Sequence, residues 1–465
     1  MRPRRPPARG EGLALHSRPV NALLTDLYEL NMVASYLRRG MTGLATFSLF
    51  VRALPKQRGF LVAAGIEGCL DYLQDLRFDE DEIRYLGDEL KFPQRDLEAF
   101  RQFRFTGDVW GVPEGRVVFA GEPLLEVTAP LPEAQLIETY LLNRITFETT
   151  IASKAARCVI AAAGRDVVDF SFRRTQGIEA GLDVARVSAI AGFEATSNVE
   201  AARRYGLVAA GTMAHSYVQA FARERDAFLA FAQDFPGRTT FLVDTYDTVS
   251  GIKDAIEVIR KLKLRGRTGV RLDSGNLLEL TNRARRLLDA ERMKHVRIFV
   301  SGGLDEFQID DLVRGGAPID AFGVGTRMGV SADQPYLDTA YKLVDYAGRP
   351  VMKLATGKVT APGRKQVFRR RKPFGDVIGL FEETAPTGME PMLQPMMVRG
   401  RRTSAPASVA DSRALCEADI AELPAAVRRI RSPRGLLATT TEKLQRTTDQ
   451  TRERLLSRFG PKRNR

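Results

Sequence analysis

The chemistry of this chain is concentrated between Asp169 and Ser216. There an arginine pair (Arg173, Arg174), a Thr196-Ser197-Asn198 cluster and His215, one of only three histidines, each follow a short apolar run. The pattern continues downstream. Asp244 and Asp247 follow one apolar run, Arg271 and Asp273 the next, Ser301, Gly302, Gly303 and Asp305 a third, and Gly323, Gly325 and Thr326 the last. Guanidinium groups, carboxylates and paired glycines in this arrangement suit an anionic, phosphorylated ligand held with a metal. IFVSGGLDE (298–306) and DAFGVGTRMG (320–329) can each turn consecutive N–H groups toward a phosphate at a helix start. Asp244, Asp247 and Asp273 offer hard oxygen ligands for Mg²⁺, with diphosphate and water completing the shell. Each aspartate has an ordinary alternative, capping the next helix. The glycines have one too, supplying a left-handed turn.

His215 is the sharpest single residue. In GTMAHS it stands where a helix begins, and the N-terminal dipole of that helix favours a neutral, nucleophilic imidazole and an attached phosphoryl group. The alternative is a structural histidine. His16 lies near the N-terminus and His295 just before a strand, and neither has that setting. No GxxxxGK[ST] loop and no GxGxxG after a strand occurs, so a Walker-type ATPase and a Rossmann dehydrogenase are both unsupported.

The elements that must position these groups can be read from periodicity. Strands are predicted at 166–172, 192–194, 207–210, 239–243, 268–272, 296–301 and 319–323, with helices such as 216–233 and 249–264 between them. So many strand–helix units in a row predict a parallel barrel, and every candidate group then lies at the C-terminal mouth of its strand. Upstream, 21–37 reads as an amphipathic helix, 46–54 as a strand, 59–76 as a turn and helix, 105–127 as short β pieces and 132–164 as a long helix. The expected organisation is a basic tail (1–18), an α+β N-terminal domain (19–130), an α/β barrel (131–345), a segment returning to the first domain (346–398) and a basic C-terminal extension (399–465).

A net charge of +13 raises the question of nucleic acid. Residues 1–18 carry +4 and residues 399–465 carry +9, which leaves 19–398 formally neutral. The basicity therefore belongs to ends whose Arg/Pro/Ser/Thr-rich composition predicts poor order. A nucleic-acid-binding protein is the non-enzyme alternative, resting on the pI alone. The three cysteines (Cys69, Cys158, Cys416) are far apart and imply neither a disulfide framework nor a zinc site. No run is apolar enough to span a bilayer and the start lacks a secretory apolar segment, so a cytoplasmic protein is expected.

TDLYELNM (25–32), FVRALPKQRGFLVAAGIE (50–67), DFSFRRTQGIEAGL (169–182), GFEATSNVEAA (192–202), GTMAHSYVQAF (211–221), LVDTYDT (242–248), GVRLDSGNL (269–277), SGGLDE (301–306) and GAPIDAFGVGT (316–326) resemble the nicotinate phosphoribosyltransferases, in the same order. The resemblance implies an α/β fold, an irregular (β/α) barrel of the type II phosphoribosyltransferase kind with an α+β N-terminal domain. It implies synthesis of nicotinate mononucleotide and diphosphate from nicotinate and phosphoribosyl diphosphate in NAD salvage. ATP hydrolysis through a phosphohistidine, a ligase-class coupling, Mg²⁺ and a homodimer with shared active sites come with it. His215 would be the phosphorylated residue, and Arg173 and Arg271 would bind the anionic ligands. Asp244, Asp273 and Asp305 would organise diphosphate, Mg²⁺ and ribose. Ser301, Gly302, Gly303, Gly325 and Thr326 would hold the 5′-phosphate, with Thr196 and Ser197 also at the substrate. Phe170 and Tyr28 would sandwich the pyridine ring, Tyr28 arriving from the neighbouring subunit. Ser197 stands where the resembling nicotinamide enzymes carry an acid. Asn276 stands where an Asp is usual. A nicotinamide or quinolinate phosphoribosyltransferase is the nearest enzyme alternative.

Overall fold

A computed structural model describes residues 21–354 and 360–459, so the basic tail at 1–18 lies outside the described residues. Six parallel strands form the barrel sheet. In spatial order they are Ala195–Thr196, Asp166–Asp169, Ala321–Val324, Arg297–Val300, Gly269–Leu272 and Thr240–Leu242. The segment predicted as a strand at 207–210 contributes only a single parallel bridge, from Ala209 to Thr196. Among the described residues no pairing joins this segment to Thr240–Leu242, and that open seam makes the barrel irregular. The strand predicted at 192–194 falls slightly later, at Ala195–Thr196.

Period-2 alternation explains both faces of these strands. Val167, Phe241, Val270, Ile298 and Phe322 point outward and are fully buried under the surrounding helices. The alternate residues Asp166, Val168, Thr240, Gly269, Phe299 and Ala321 line the lumen. The helix predicted at 216–233 is interrupted, forming His215–Gln219 and Glu224–Asp234 with Arg223 extended between them. Arg223 pairs forward with Asp226 and so starts the second helix.

The N-terminal domain is a seven-stranded antiparallel sheet. Its strands come from Leu44–Val51, Pro123–Pro130 and Asp108–Gly111, and from Thr339–Tyr346, Arg349–Pro350, Gln394–Val398 and Arg401–Arg402. Thr339–Tyr346 pairs along Leu44–Val51, so the chain re-enters this domain earlier than the boundary expected at 346. The helix Glu138–Ala162 is the spine between the two bodies. Its Ser153 and Thr149 hydroxyls accept the Val62 and Ala64 N–H groups at 2.9 and 3.2 Å, while Lys154 and Arg157 face the barrel. No helix among the described residues is long and apolar enough to cross a membrane.

Residues 399–459 correct the expectation of poor order. Val409–Glu422 and Glu442–Phe459 are helices, the first packed on the barrel and the second on the strand Phe374–Leu380. Their basic composition conceals pairs made with distant carboxylates and carbonyls. Asp419 on the first helix accepts Arg116 Nε at 2.8 Å, the Val117 N–H at 2.9 Å and Arg369 at 3.0 Å, all buried. Arg157 in turn donates to the carbonyls of Arg429 and Ile430 at 3.2 and 2.6 Å. Asp419→Ala removes the acceptor shared by two buried guanidinium groups, leaving Arg369 to Asp376 and Arg116 to the half-exposed Glu390, and breaking a buried ion pair costs about 3–5 kcal/mol. The variant is expected to unfold roughly 4–8 °C below the parent in calorimetry, and a shift under about 1 °C would refute the network's contribution.

Candidate active site

The lumen is a cavity of about 820 Å³ rather than a filled core. Stacked side-chain layers normally plug an eight-stranded barrel. Here Gly269, Ala321, Ala195, Ala209 and Gly211 occupy inward or mouth positions and leave space. Phe170, at the end of the strand Asp166–Asp169, forms one wall at the mouth. Its ring lies so close to Gly323 that a Cβ there would come within 2.8 Å of it, which is why that position is glycine. Phe299 flanks the same glycine and is tilted against Phe170 at 5.6 Å between ring centroids.

Arg271 joins the loops around this wall. Its Nε donates to Ser301 Oγ at 2.8 Å, and one terminal nitrogen donates to Thr212 Oγ1 at 3.0 Å. The other terminal nitrogen pairs with Asp273 Oδ1 at 2.8 Å. The guanidinium also sits over the Phe170 ring at 5.4 Å. Asp273 further accepts a very short hydrogen bond from Ser301 Oγ. Burial pushes the Asp273 carboxyl up, but Ser301, Arg271 and the neighbouring His215 outweigh it and hold the group below the ordinary carboxylate range. Asp244 Oδ2 accepts the Asp273 N–H at 2.8 Å and Ser274 Oγ at 2.7 Å. Its Oδ1 is buried without a protein partner. His215 is half-buried, opens the short helix His215–Gln219, and its Nδ1 lies 3.1 Å from Thr245 Oγ1.

The mouth therefore brings together Phe170, Arg271, Asp273, Ser301, Asp244 and His215. Gly302 and Gly303 complete the turn after Ser301 with φ of +99° and +66°. A Cβ on Gly302 would lie 1.9 Å from the Asp273 carbonyl, so only glycine lets this turn approach the aspartate loop. Gly325 and Thr326 form the opposite turn, where the helix Thr326–Gly329 begins. Ser197 lines the lumen, and its backbone N–H donates to the Asp169 carbonyl at 2.8 Å. The residue that caps the helix Val199–Tyr205 is Asn198, not Ser197. Arg173 and Arg174 are exposed on a one-turn helix and make no ion pair among the described residues.

Several candidates are engaged in architecture. The Thr196 hydroxyl donates to the buried Asp169 at 2.7 Å and accepts the Asn198 N–H at 3.0 Å. Asp305 caps the helix Glu306–Arg314 in a reciprocal box with Gln308, and its second oxygen lies 3.5 Å from Arg327. Asp247 caps the helix Thr248–Leu262, and Asn276 caps Leu277–Ala290, a role an Asp would fill equally well. Tyr28 is half exposed and lies in a separate concavity with Asp26, Glu138 and Asn143, away from the barrel mouth of its own chain. Sequence reasoning missed Asp169, Thr245 and Ser274. The last two directly follow Asp244 and Asp273, so the strand-end rule that found the aspartates reaches them as well. Among the described residues no three His, Cys, Asp or Glu side chains group closely enough to cage a metal. The orphaned Asp244 oxygen fits a cation that draws its remaining ligands from a bound diphosphate and water.

The mouth of this α/β barrel thus joins two glycine turns, an arginine-aspartate hub and an aromatic wall. Residues 23–146 match the nicotinate phosphoribosyltransferase N-terminal domain and residues 166–370 the nicotinate phosphoribosyltransferase family. The chain is 48% identical over 387 residues to nicotinate phosphoribosyltransferase pncB2 of Mycobacterium tuberculosis, covering 82% of this chain and 83% of that protein. It is 41% identical to nicotinate phosphoribosyltransferase of Bacillus subtilis, covering 78% and 76%. The crystal structure of human nicotinic acid phosphoribosyltransferase superposes with a TM-score of 0.81 at 28% identity, over 92% of this chain and 99% of that one. The chain belongs to the nicotinate phosphoribosyltransferase family.

One carboxyl near the mouth is not part of any motif. Glu224, at the first turn of Glu224–Asp234, is 9% exposed and its Oε1 has no protein partner. Burial, and then the charges of Asp254, Asp244 and Asp247, raise it from the ordinary 4.5 to about 7. A carboxyl raised in the fold is favoured when protonated. The penalty for ionising it is thus absent below about pH 4.5, grows as pH rises toward 7, and is complete above that. Glu224→Gln is therefore expected to raise the melting temperature by about 1–3 °C at pH 8.5 in EDTA and to leave it unchanged near pH 4.5. A gain of equal size at both pH values would contradict the raised carboxyl.

Proposed function

We propose that this chain transfers the phosphoribosyl group of phosphoribosyl diphosphate to the ring nitrogen of nicotinate, releasing diphosphate, and couples the transfer to ATP hydrolysis through phosphorylation of His215. The observation that carries the reading is the hub in which Arg271 holds Thr212, Asp273 and Ser301 together beside His215 and over Phe170. The pyridine nitrogen already bears a lone pair, so no general base is required. The residues must favour ionisation at C1 of the ribose, receive the departing diphosphate and hold the ring in line. Arg173 and Arg271 meet the anionic ligands, while Gly302, Gly303, Gly325 and Thr326 present N–H groups to the 5′-phosphate. Asp244 and Asp273 would hold Mg²⁺ through the diphosphate, and the ion would neutralise the leaving group's charge.

The Thr245 hydroxyl on Nδ1 of His215 supports Nε2 as the atom that takes the γ-phosphoryl of ATP and later yields it to water. Phe170 supplies one face for the pyridine ring. In this reading the partner subunit's Tyr28 supplies the other, consistent with its exposed position away from the mouth of its own chain. The active species is then a homodimer with shared sites.

Turnover of nicotinate and of nicotinamide, each with and without ATP and followed as mononucleotide by chromatography, tests the reading. Nicotinate with ATP is the expected preferred pair, and faster turnover of nicotinamide would overturn it. His215→Ala is expected to abolish nicotinate-stimulated ADP release while leaving a weak, ATP-independent transfer. Normal coupling in that variant would make His215 structural. Ser197 offers the nicotinate carboxylate a neutral hydroxyl beside the start of Val199–Tyr205, and it has no capping duty to lose. Ser197→Asp would set two carboxylates against each other, so kcat/KM for nicotinate should fall at least ~10-fold while that for nicotinamide falls less or rises. Equal losses for both bases would remove Ser197 from base selection.

A further inference from the structure

Beneath the mouth, the two glycine turns are joined by a buried group of charges. Glu306 directly follows Asp305 and is fully buried at the first turn of Glu306–Arg314. Its carboxylate meets Lys154 Nζ at 2.5 Å, Arg157 Nε at 3.0 Å and Arg58 at 3.6 Å. Asp333, just beyond the helix Thr326–Gly329, meets two of the same cations, Lys154 Nζ at 2.8 Å and Arg58 at 2.7 and 3.1 Å. Lys154, Arg157 and Arg58 are 0%, 1% and 3% exposed. Arg58 also reaches the hydroxyl of Ser331 at 3.5 Å. That serine is buried in a left-handed conformation (φ +43°) and donates to the Gln334 carbonyl at 2.7 Å.

Lys154 and Arg58 thus each touch both carboxylates. One carboxylate is tied in sequence to the turn Ser301–Gly303 and the other to the turn Gly325–Thr326. Neither cation comes from a barrel strand. Arg58 comes from the loop after Leu44–Val51 in the N-terminal domain, and Lys154 from the spine helix. Well-packed apolar residues commonly stabilise a buried site as well as an ion cluster does, so stability alone does not call for these charges. Moving either loop would leave three buried cations facing a single carboxylate, which makes the cluster a stiff spacer. The second link between the turns, from Arg327 to Asp305 at 3.5 Å, involves a half-exposed arginine and is loose by comparison.

We propose that Lys154 and Arg58 are positioning residues that set the separation of the two glycine turns so that both close on the same 5′-phosphate. The proposal rests on the reading above, in which these turns hold the phosphate of phosphoribosyl diphosphate. The test uses the full chain carrying Lys154→Met or Asp333→Asn. It measures KM for each substrate, the inhibition constant of ribose 5-phosphate against phosphoribosyl diphosphate, and the circular dichroism spectrum. The expected result is a rise of about tenfold or more in KM for phosphoribosyl diphosphate and in the ribose 5-phosphate constant, with KM for nicotinate within about twofold. The Asp333 side chain is 20% exposed and Asn keeps its shape, so this variant decides the matter if Lys154→Met does not fold. An unchanged ribose 5-phosphate constant in a folded variant, equal losses for both substrates, or failure of both variants to fold would each overturn the positioning role. A parent chain that binds ribose 5-phosphate in calorimetry but makes no nicotinate mononucleotide would instead sink the functional reading. The same calorimetric titration of the two variants would then still judge the spacer.

Discussion

The arrangement of the mouth depends on a single guanidinium. Arg271 is the last inward-facing residue of its strand, and its nitrogens fix the loops carrying Thr212, Asp273 and Ser301 while its face covers Phe170. A lysine could not do this. It is a point charge, whereas the planar fork makes several directed hydrogen bonds and stacks at the same time. Because Asp273 is taken by Arg271 and Ser301, its orientation is already set by the protein. Asp244 is set in turn by the Asp273 N–H and Ser274. The loops of four different strands therefore hold one geometry before any ligand arrives, and the ordering entropy is not charged to the reaction.

The same strands show why the barrel is hollow. Outward positions are large and fully buried, as with Phe241, Ile298 and Phe322, and they hold the helices in place. Inward positions shrink to Gly269 and Ala321, which leave the lumen hollow, and to Gly323, which makes room for the Phe170 ring. The open seam beside Ala209 is compatible with this division of labour. Cohesion comes from the outer shell and from the spine helix rather than from a closed ring of strand hydrogen bonds.

Much of this was legible in the sequence, because a strand-end group is placed by local rules. An apolar run followed by a polar cluster puts that cluster at the mouth, and this holds for Arg271, Asp273, Ser301 and His215. What local rules do not reach is pairing across long separations. Arg116 and Asp419 are 303 residues apart, and Arg157 and Glu306 are 149 apart, yet both pairs are buried. In sequence their members look like ordinary solvated charges, and for that reason the C-terminal extension read as poorly ordered. Thr196 and Asp305 show the converse limit. Their positions at strand ends were correctly inferred, but position does not reveal that a hydroxyl is committed to Asp169 or a carboxylate to a helix cap.

The division between committed and free charges has a consequence for how an anionic ligand is received. Arg271 is neutralised by Asp273 and adds geometry rather than net attraction, whereas Arg173 and Arg174 are exposed and unpaired among the described residues. A mouth whose cations were all free would draw ligands strongly but would repel itself and reorganise on binding. One whose cations were all paired would be rigid but would give an anion no net attraction. Under the proposed function, separating the tasks between a paired hub and the exposed arginines of Phe172–Arg174 would let long-range attraction act on approach and leave the hub with dipoles that need not move. The Lys154-Glu306 group extends the rigid half of this arrangement below the mouth, where three buried cations face the buried Glu306 and the partly exposed Asp333.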